Sequence, residues 1–172
     1  VVEEMGDVQK DLAKLCKFYT TKGEDSTTLA DYASRLAEQN RTKILFLSGE
    51  SKAAVKASPL LEKLNKMDYE VLLLTEPLDE LVVQAIGEFE GLALVDAAKD
   101  DISDVFDSSS KDESSEEDSD DEATTAAFED LAAKLTEVLG TEKVSKVQVS
   151  KRLDKSPATL VQGAYGMSPM MR

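Results

Sequence analysis

Apolar positions recur at helical spacing in the first stretch of the chain, where Val8, Leu12, Leu15 and Phe18 mark one face with Ala13 and Cys16 beside them. A polar stretch from Thr20 to Asp25 contains Gly23. Ser26-Thr27-Thr28 then offers hydroxyl caps for a second helix through Leu29, Tyr32, Ala33 and Leu36. At Lys43 the pattern changes, and short apolar runs at Lys43 to Leu47, Val71 to Leu74 and Leu92 to Val95 alternate with helical stretches. The first of these stretches carries Val55, Leu60, Leu61 and Leu64 and is broken at Ser58-Pro59. The second carries Leu78, Leu81, Val82, Ala85 and Ile86, with Gly87 at its end. Strands that are apolar on both faces and alternate with helices predict a small parallel sheet with right-handed βαβ crossovers.

From Asp96 to Glu122 the periodicity vanishes as Asp, Glu, Ser and Lys replace aliphatics, which predicts a flexible linker. A helix is expected to begin at a Thr124-Thr125 cap, with Phe128, Leu131, Ala132, Leu135 and Leu139 on one face and Gly140 closing it. Val144, Val147 and Val149 suggest a short strand, and Ala158 to Val161, after Ser156-Pro157, another. The expected fold class is α/β: a small three-layer βαβαβ unit with a mainly parallel sheet, preceded by helices and followed by the start of a second α/β domain. The corresponding division is 1–40 as a helical lead-in, 41–98 as the α/β subdomain, 99–123 as the acidic linker and 124–172 as the truncated start of the next domain.

With 41% hydrophobic residues the 172-residue chain can bury a core, and with no Trp and 5% aromatics that core is mainly aliphatic. Lys and Arg number 20 against 35 Asp and Glu, a formal charge of −15. Such a surface repels phosphate backbones and anionic lipid, so nucleic acid is not an expected partner. No apolar run approaches the ~20 residues of a membrane helix, so no membrane insertion is expected. Without any His, a His-based triad, a His-ligated zinc or an imidazole base is excluded. Cys16 is the sole cysteine and can form no intrachain disulfide. The chain starts at Val1 and stops at Met171-Arg172, and is read as an excised piece of a longer protein.

Several motifs admit both chemistry and plain structure. Ser48-Gly49-Glu50-Ser51 lies where a strand turns into a helix and could bind an anion, yet it lacks the glycines of a dinucleotide loop and the ending of a P-loop. A capped turn is the better reading. Glu76, Asp79 and Glu80 beside Pro77 could bind a metal or do acid-base work, but acidic residues at a helix start are better explained by the helix dipole. Ser109, Ser110, Ser114, Ser115 and Ser119 each precede an acidic residue by three positions, a spacing that suits acidophilic kinases; a plain solvated linker is the alternative. Asn40-Arg41-Thr42 fits a glycosylation sequon, which matters only in a secretory compartment. Tyr165, Met167, Met170 and Met171 gather an aromatic and flexible thioethers, suited either to varied apolar partners or to packing against the rest of a domain.

An ordered series of short motifs resembles the heat shock protein 90 family of ATP-driven chaperones. It comprises Thr28-Leu-Ala-Asp-Tyr32, Ser48-Gly-Glu-Ser-Lys52, Ser58-Pro59, Tyr69-Glu-Val71, Thr75-Glu-Pro77 with Asp79-Glu80, and Glu88-Phe89-Glu-Gly91. It continues with Val149-Ser150, Arg152-Leu153, Ser156-Pro157 and Tyr165-Gly166. The resemblance implies the late middle domain over residues 1 to about 98 and the start of the C-terminal domain from about 124, with the acidic run in the variable connection. It also implies a homodimeric parent that uses ATP and Mg and works with client proteins and co-chaperones. The ATP domain, the catalytic-Arg loop and the dimerisation helices fall outside this chain, which implies no cofactor and no ATPase activity here. Tyr165 to Met171 resembles the client-contacting segment, with Met167 where relatives carry Trp, and Ala158 stands where many carry Cys. Leu12-Ala-Lys-Leu15 followed by Phe18 looks closer to endoplasmin, the endoplasmic-reticulum paralogue, so the reticulum lumen is favoured over the cytoplasm.

The expected function is therefore that of scaffold and client-contact region of an ATP-dependent chaperone. Two readings from other classes stand beside it. A small nucleotide-binding α/β domain would use the Ser48 to Ser51 turn and be stabilised by a phosphorylated ligand. A phosphorylation-regulated adaptor would dock basic partners on residues 107–122 and bind them in a salt-sensitive way.

Overall fold

Two strands apolar on both faces form the centre of the molecule. In the computed structural model, which describes residues 6–99, 102, 105, 121–140, 144–150 and 153–161, β3 (Lys43–Ser48) lies between β4 (Leu72–Leu74) and β6 (Leu92–Asp96), parallel to both. Ile44, Leu45, Leu72, Leu73 and Leu74 are fully buried, as expected of strands covered by helices on both sides. The six-stranded order is β2-β1-β4-β3-β6-β5. The edges are antiparallel: β1 (Lys17–Thr20) pairs with β4 and with β2 (Thr27–Thr28), and β5 (Glu88–Phe89) pairs with β6.

The expected α/β class and parallel centre are present; the edge strands are what the sequence reading lacked. The first helix, α1 (Asp7–Leu15), stops where Cys16 turns extended, and Phe18 belongs to β1 rather than to that helix. Along β1, Phe18 and Thr20 are buried while Lys17 and Tyr19 are not, the alternation of a strand covered on one face.

α2 (Leu29–Glu38) begins as the hydroxyl pattern predicts, with Thr28 Oγ1 accepting the Asp31 amide at 3.1 Å. Leu29, Tyr32 and Leu36 are fully buried beneath it. Between β3 and β4 the chain makes α3 (Lys52–Lys56), a 3-10 turn over Pro59–Leu61 and α4 (Glu62–Lys66), so Ser58-Pro59 does interrupt the helix. Between β4 and β6 runs α5 (Pro77–Ile86), ended by Gly87 at φ +63, a left-handed position that glycine occupies without cost. α5 turns Val83 and Glu80 inward and leaves Leu78 and Leu81 exposed, a rotation the apolar spacing did not reveal. α1 packs on α2 and α5, and the Gln9 side chain reaches the Ala85 carbonyl at 3.0 Å.

Contacts divide the chain into two compact units, residues 1–102 with 152–172, and residues 103–151. Ile102 and Val105, inside the stretch read as linker, are buried. The second unit includes α6 (Asp121–Leu139), which starts before the expected Thr124 cap; Phe128, Leu131, Leu135 and Leu139 are exposed along it. The strands expected over 144–149 and 158–161 do not form; these segments lack the neighbour a ladder requires. Among the described residues no helix is long and apolar enough to cross a membrane.

Candidate functional site

The first crossover runs from β3 out to β4, and the second runs from β4 back past β3 to β6. This makes the carboxyl ends of β3 and β6 a topological switch point, where open α/β sheets form a crevice. A cavity of about 220 Å³ lies there, lined among others by Ser48, Gly49, Val55, Ser58, Asp96 and Leu160. Two of its backbone donors are already engaged. The Gly49 amide donates to the Leu74 carbonyl at 3.1 Å, and Ser51 Oγ accepts the Ala54 amide at 3.2 Å, so the turn is a cap that ties β3 to β4. Gly49 is required by packing, since a Cβ at this position would lie 2.7 Å from Val55 Cγ2.

The three carboxylates at the start of α5 serve separate structural ends. Asp79 Oδ2 accepts the amides of Thr75 at 3.3 Å and Glu76 at 3.2 Å, which caps the helix. Burial pushes the Asp79 carboxyl up and outweighs those bonds. Glu80 points inward, 2% exposed, where Lys99 Nζ reaches its Oε1 at 3.4 Å and Asp96 at 3.6 Å. Glu76 stays at the surface. Among the described residues no cluster of acidic or sulfur ligands could hold a metal ion.

The most concentrated polar geometry is a carboxylate clamp that no sequence pattern announced. Glu62, at the start of α4, accepts three successive amides on Oε2, from Asp154 at 3.1 Å, Lys155 at 2.9 Å and Ser156 at 3.1 Å. Its Oε1 accepts the Ser156 hydroxyl, and Lys66 one turn later pairs with Asp154 at 2.9 Å. The Ser156 hydroxyl, helped by the Lys155 and Ser156 amides, holds the Glu62 carboxyl down at about 2. Residues 153–161 are thereby strapped across α4 of the first unit, and Leu160 reaches the switch-point cavity. A second surface carboxylate, Glu24, bridges Lys56 at 2.8 Å and Lys52 at 2.9 Å, and is likewise lowered to about 2 by hydrogen bonds from Lys56 and Lys52.

Of the residues singled out from the sequence, Asn40 is exposed just beyond α2, at φ +53, and its amide closes the helix on the Ala37 carbonyl at 3.0 Å. Its position is that of a left-handed helix stop, which Asn tolerates. Ser109, Ser110, Ser114, Ser115 and Ser119 lie outside the described residues, as do Tyr165, Met167, Met170 and Met171.

The family model described as Hsp90 protein matches residues 1–172. Chaperone protein HtpG of Mycolicibacterium gilvum is 37% identical over 166 residues, which is 96% of this chain and 25% of that protein. HtpG of Mycobacterium avium is also 37% identical, over 96% of this chain and 24% of its own length. The chain thus spans about a quarter of the length of the curated relatives it matches. Among solved structures, the middle domain of a Plasmodium falciparum heat shock protein aligns with a TM-score of 0.53 and 31% identity, covering 58% of this chain and 42% of that one. These HtpG relatives come from bacteria, which have no reticulum, so the expected reticulum lumen is overturned and the cytoplasmic alternative fits. Of the residues that suggested the lumen, Ala13 and Phe18 are buried, while Leu12 and Leu15 are exposed. With a family model along its whole length and relatives above 30% identity over nearly all of it, the chain belongs to the Hsp90 protein family.

Proposed function

We propose that this chain is the scaffold and client-contact region of an ATP-dependent chaperone of the heat shock protein 90 type. The observation that carries the reading is the match of the Hsp90 model to residues 1–172, joined to the likeness of the sheet unit to a heat shock protein middle domain. In this reading residues 1–98 end the middle domain, 99–123 connect, and 124–172 begin the C-terminal domain. ATP and Mg act in the parent protein, at a site outside this chain, and the chain alone hydrolyses no ATP. The parent is a homodimer whose partners are clients and co-chaperones.

The physical role of the chain is mechanical. A sheet whose central strands β3 and β4 are buried on both faces is closely packed and resists deformation, which suits it to passing on a displacement delivered at one end. Tyr165, Met167, Met170 and Met171 offer adaptable apolar contact to unfolded partners.

The test is suppression of thermal aggregation of a model client by the full-length parent with and without ATP, beside this chain. ATP-responsive suppression by the parent, with at most passive holding by the chain, is the expected result. No holding by either would overturn the reading. Changing Met167, Met170 and Met171 to Ser in the parent is expected to weaken holding, and undiminished holding would remove these residues from the client surface.

A further inference from the structure

Ser156 stands where the strap over 153–161 is gathered onto the Glu62 carboxylate, beside the Lys66–Asp154 ion pair. Its hydroxyl and amide both end on Glu62, which collects the Asp154 and Lys155 amides as well. Around it the strap is open to solvent: Asp154, Lys155, Pro157 and Ala158 are exposed, and Leu160 is 86% exposed. A segment fixed by surface polar bonds to Glu62 and by one exposed ion pair, with little apolar burial, opens locally far more readily than the sheet beneath it. Pro157 follows the hydroxyl directly, which presents Ser156 as a Ser-Pro pair of the kind proline-directed kinases accept.

We propose that Ser156 is a phosphorylation site and that its modification releases the strap from α4. In the transfer, Ser156 Oγ attacks the γ-phosphorus of a nucleoside triphosphate bound by a proline-directed protein kinase. The hydroxyl proton passes to the kinase's base, the β–γ phosphoanhydride bond breaks and nucleoside diphosphate leaves. The product carries nearly two negative charges and no hydroxyl donor. It faces Glu62, an anion that had accepted that donor, so attraction becomes repulsion at hydrogen-bond distance. Lys66, the cation bonded to the strap, is already paired with Asp154, and Asp154 adds a further negative charge to the same end of the strap. Releasing residues 153–161 also withdraws Leu160 from the lining of the switch-point cavity.

The experiment treats the 172-residue chain, and a peptide spanning residues 150–161, with a proline-directed Ser/Thr kinase and MgATP. The site is located by mass spectrometry, and amide hydrogen exchange is followed at 154–156. The expected result is incorporation at Ser156, absent in Ser156→Ala, with exchange at 154–156 at least tenfold faster and exchange in β3 and β4 unchanged. Glu62→Gln is expected to speed both exchange and incorporation, with the β3 and β4 amides reporting that the fold is intact. Incorporation that leaves exchange at 154–156 unaltered overturns the proposal. Failure of Ser156 to accept phosphate in the folded chain overturns it too, whether or not the peptide is modified.

Discussion

Arg35 meets Glu70 through two parallel hydrogen bonds, Nε to Oε2 at 3.0 Å and Nη2 to Oε1 at 2.8 Å, with the carboxylate side chain only 4% exposed. The pair joins α2 to the residue that leads into β4. Burial alone would push the Glu70 carboxyl up, but the hydrogen bond from Arg35, supported by Thr20 and by the guanidinium charge, holds it below its ordinary value. Arg35→Ala leaves that carboxylate buried without its cation and is expected to cost about 3 kcal/mol in urea unfolding at neutral pH.

The sign of the pH dependence follows from the same pair. The folded pKa of Glu70 lies below the unfolded one, so its stabilisation is complete above the ordinary glutamate range of ~4.3 and is lost as pH falls through the folded value. Urea midpoints measured on the acid side are expected to fall more steeply for the parent sequence than for Glu70→Gln, which has no such group to titrate.

Glu62 supplies a local version of the same sign. With its folded carboxyl at about 2 against an ordinary 4.5, the strap's hold is complete above 4.5 and is lost as pH falls toward about 2. The carboxyl carbon of Glu62, followed by NMR, is expected to titrate near that low value, and Ser156→Ala is expected to move its midpoint back toward 4.5 by removing the strongest donor.

Gly49→Ala places a methyl 2.7 Å from Val55 Cγ2 and is expected to destabilise the unit by about 1–3 kcal/mol through overpacking. Adding Val55→Ala removes the colliding methyl, so the double variant is expected to lose less than the sum of the two single losses. Equilibrium urea unfolding of the four proteins closes this cycle.

Tyr32 is fully buried, and its hydroxyl donates to the Glu70 carbonyl at 2.6 Å. Tyr32→Phe keeps the ring and leaves that carbonyl without the donor, an expected loss of about 1–3 kcal/mol. A change confined to the unfolding midpoint, with an unaltered slope, would show that the fold itself is retained.

Legibility tracked the range over which each feature is encoded. β3 and β4 could be read because strands covered on both faces must be apolar at successive positions, β6 because Leu92 to Val95 is a short apolar run, and Thr28 and Ser51 because a cap bonds only three residues ahead. β1 was hidden because Phe18 sits at helical spacing from Leu15, so the alternation over Lys17 to Thr20 was absorbed into the preceding helix. β2 and β5, two residues each, are too short to show any period. Nothing in the local pattern announces the burial of Glu70 and Glu80, since a charge goes inside only where a distant cation meets it.

The sequence by itself determined the α/β class, the parallel strand centre, the caps that start α2 and α3, and the family, because these rest on local periodicity, capping chemistry and an ordered series of short motifs. Only the tertiary structure decided that β1 closes one edge of the sheet against β4, that Arg35 meets Glu70, and that Glu62 gathers the amides of residues 154–156. Those pairings join positions tens of residues apart. Each partner is an ordinary polar or apolar residue in its own neighbourhood, and acquires its role only when the folded chain brings the other within bonding distance.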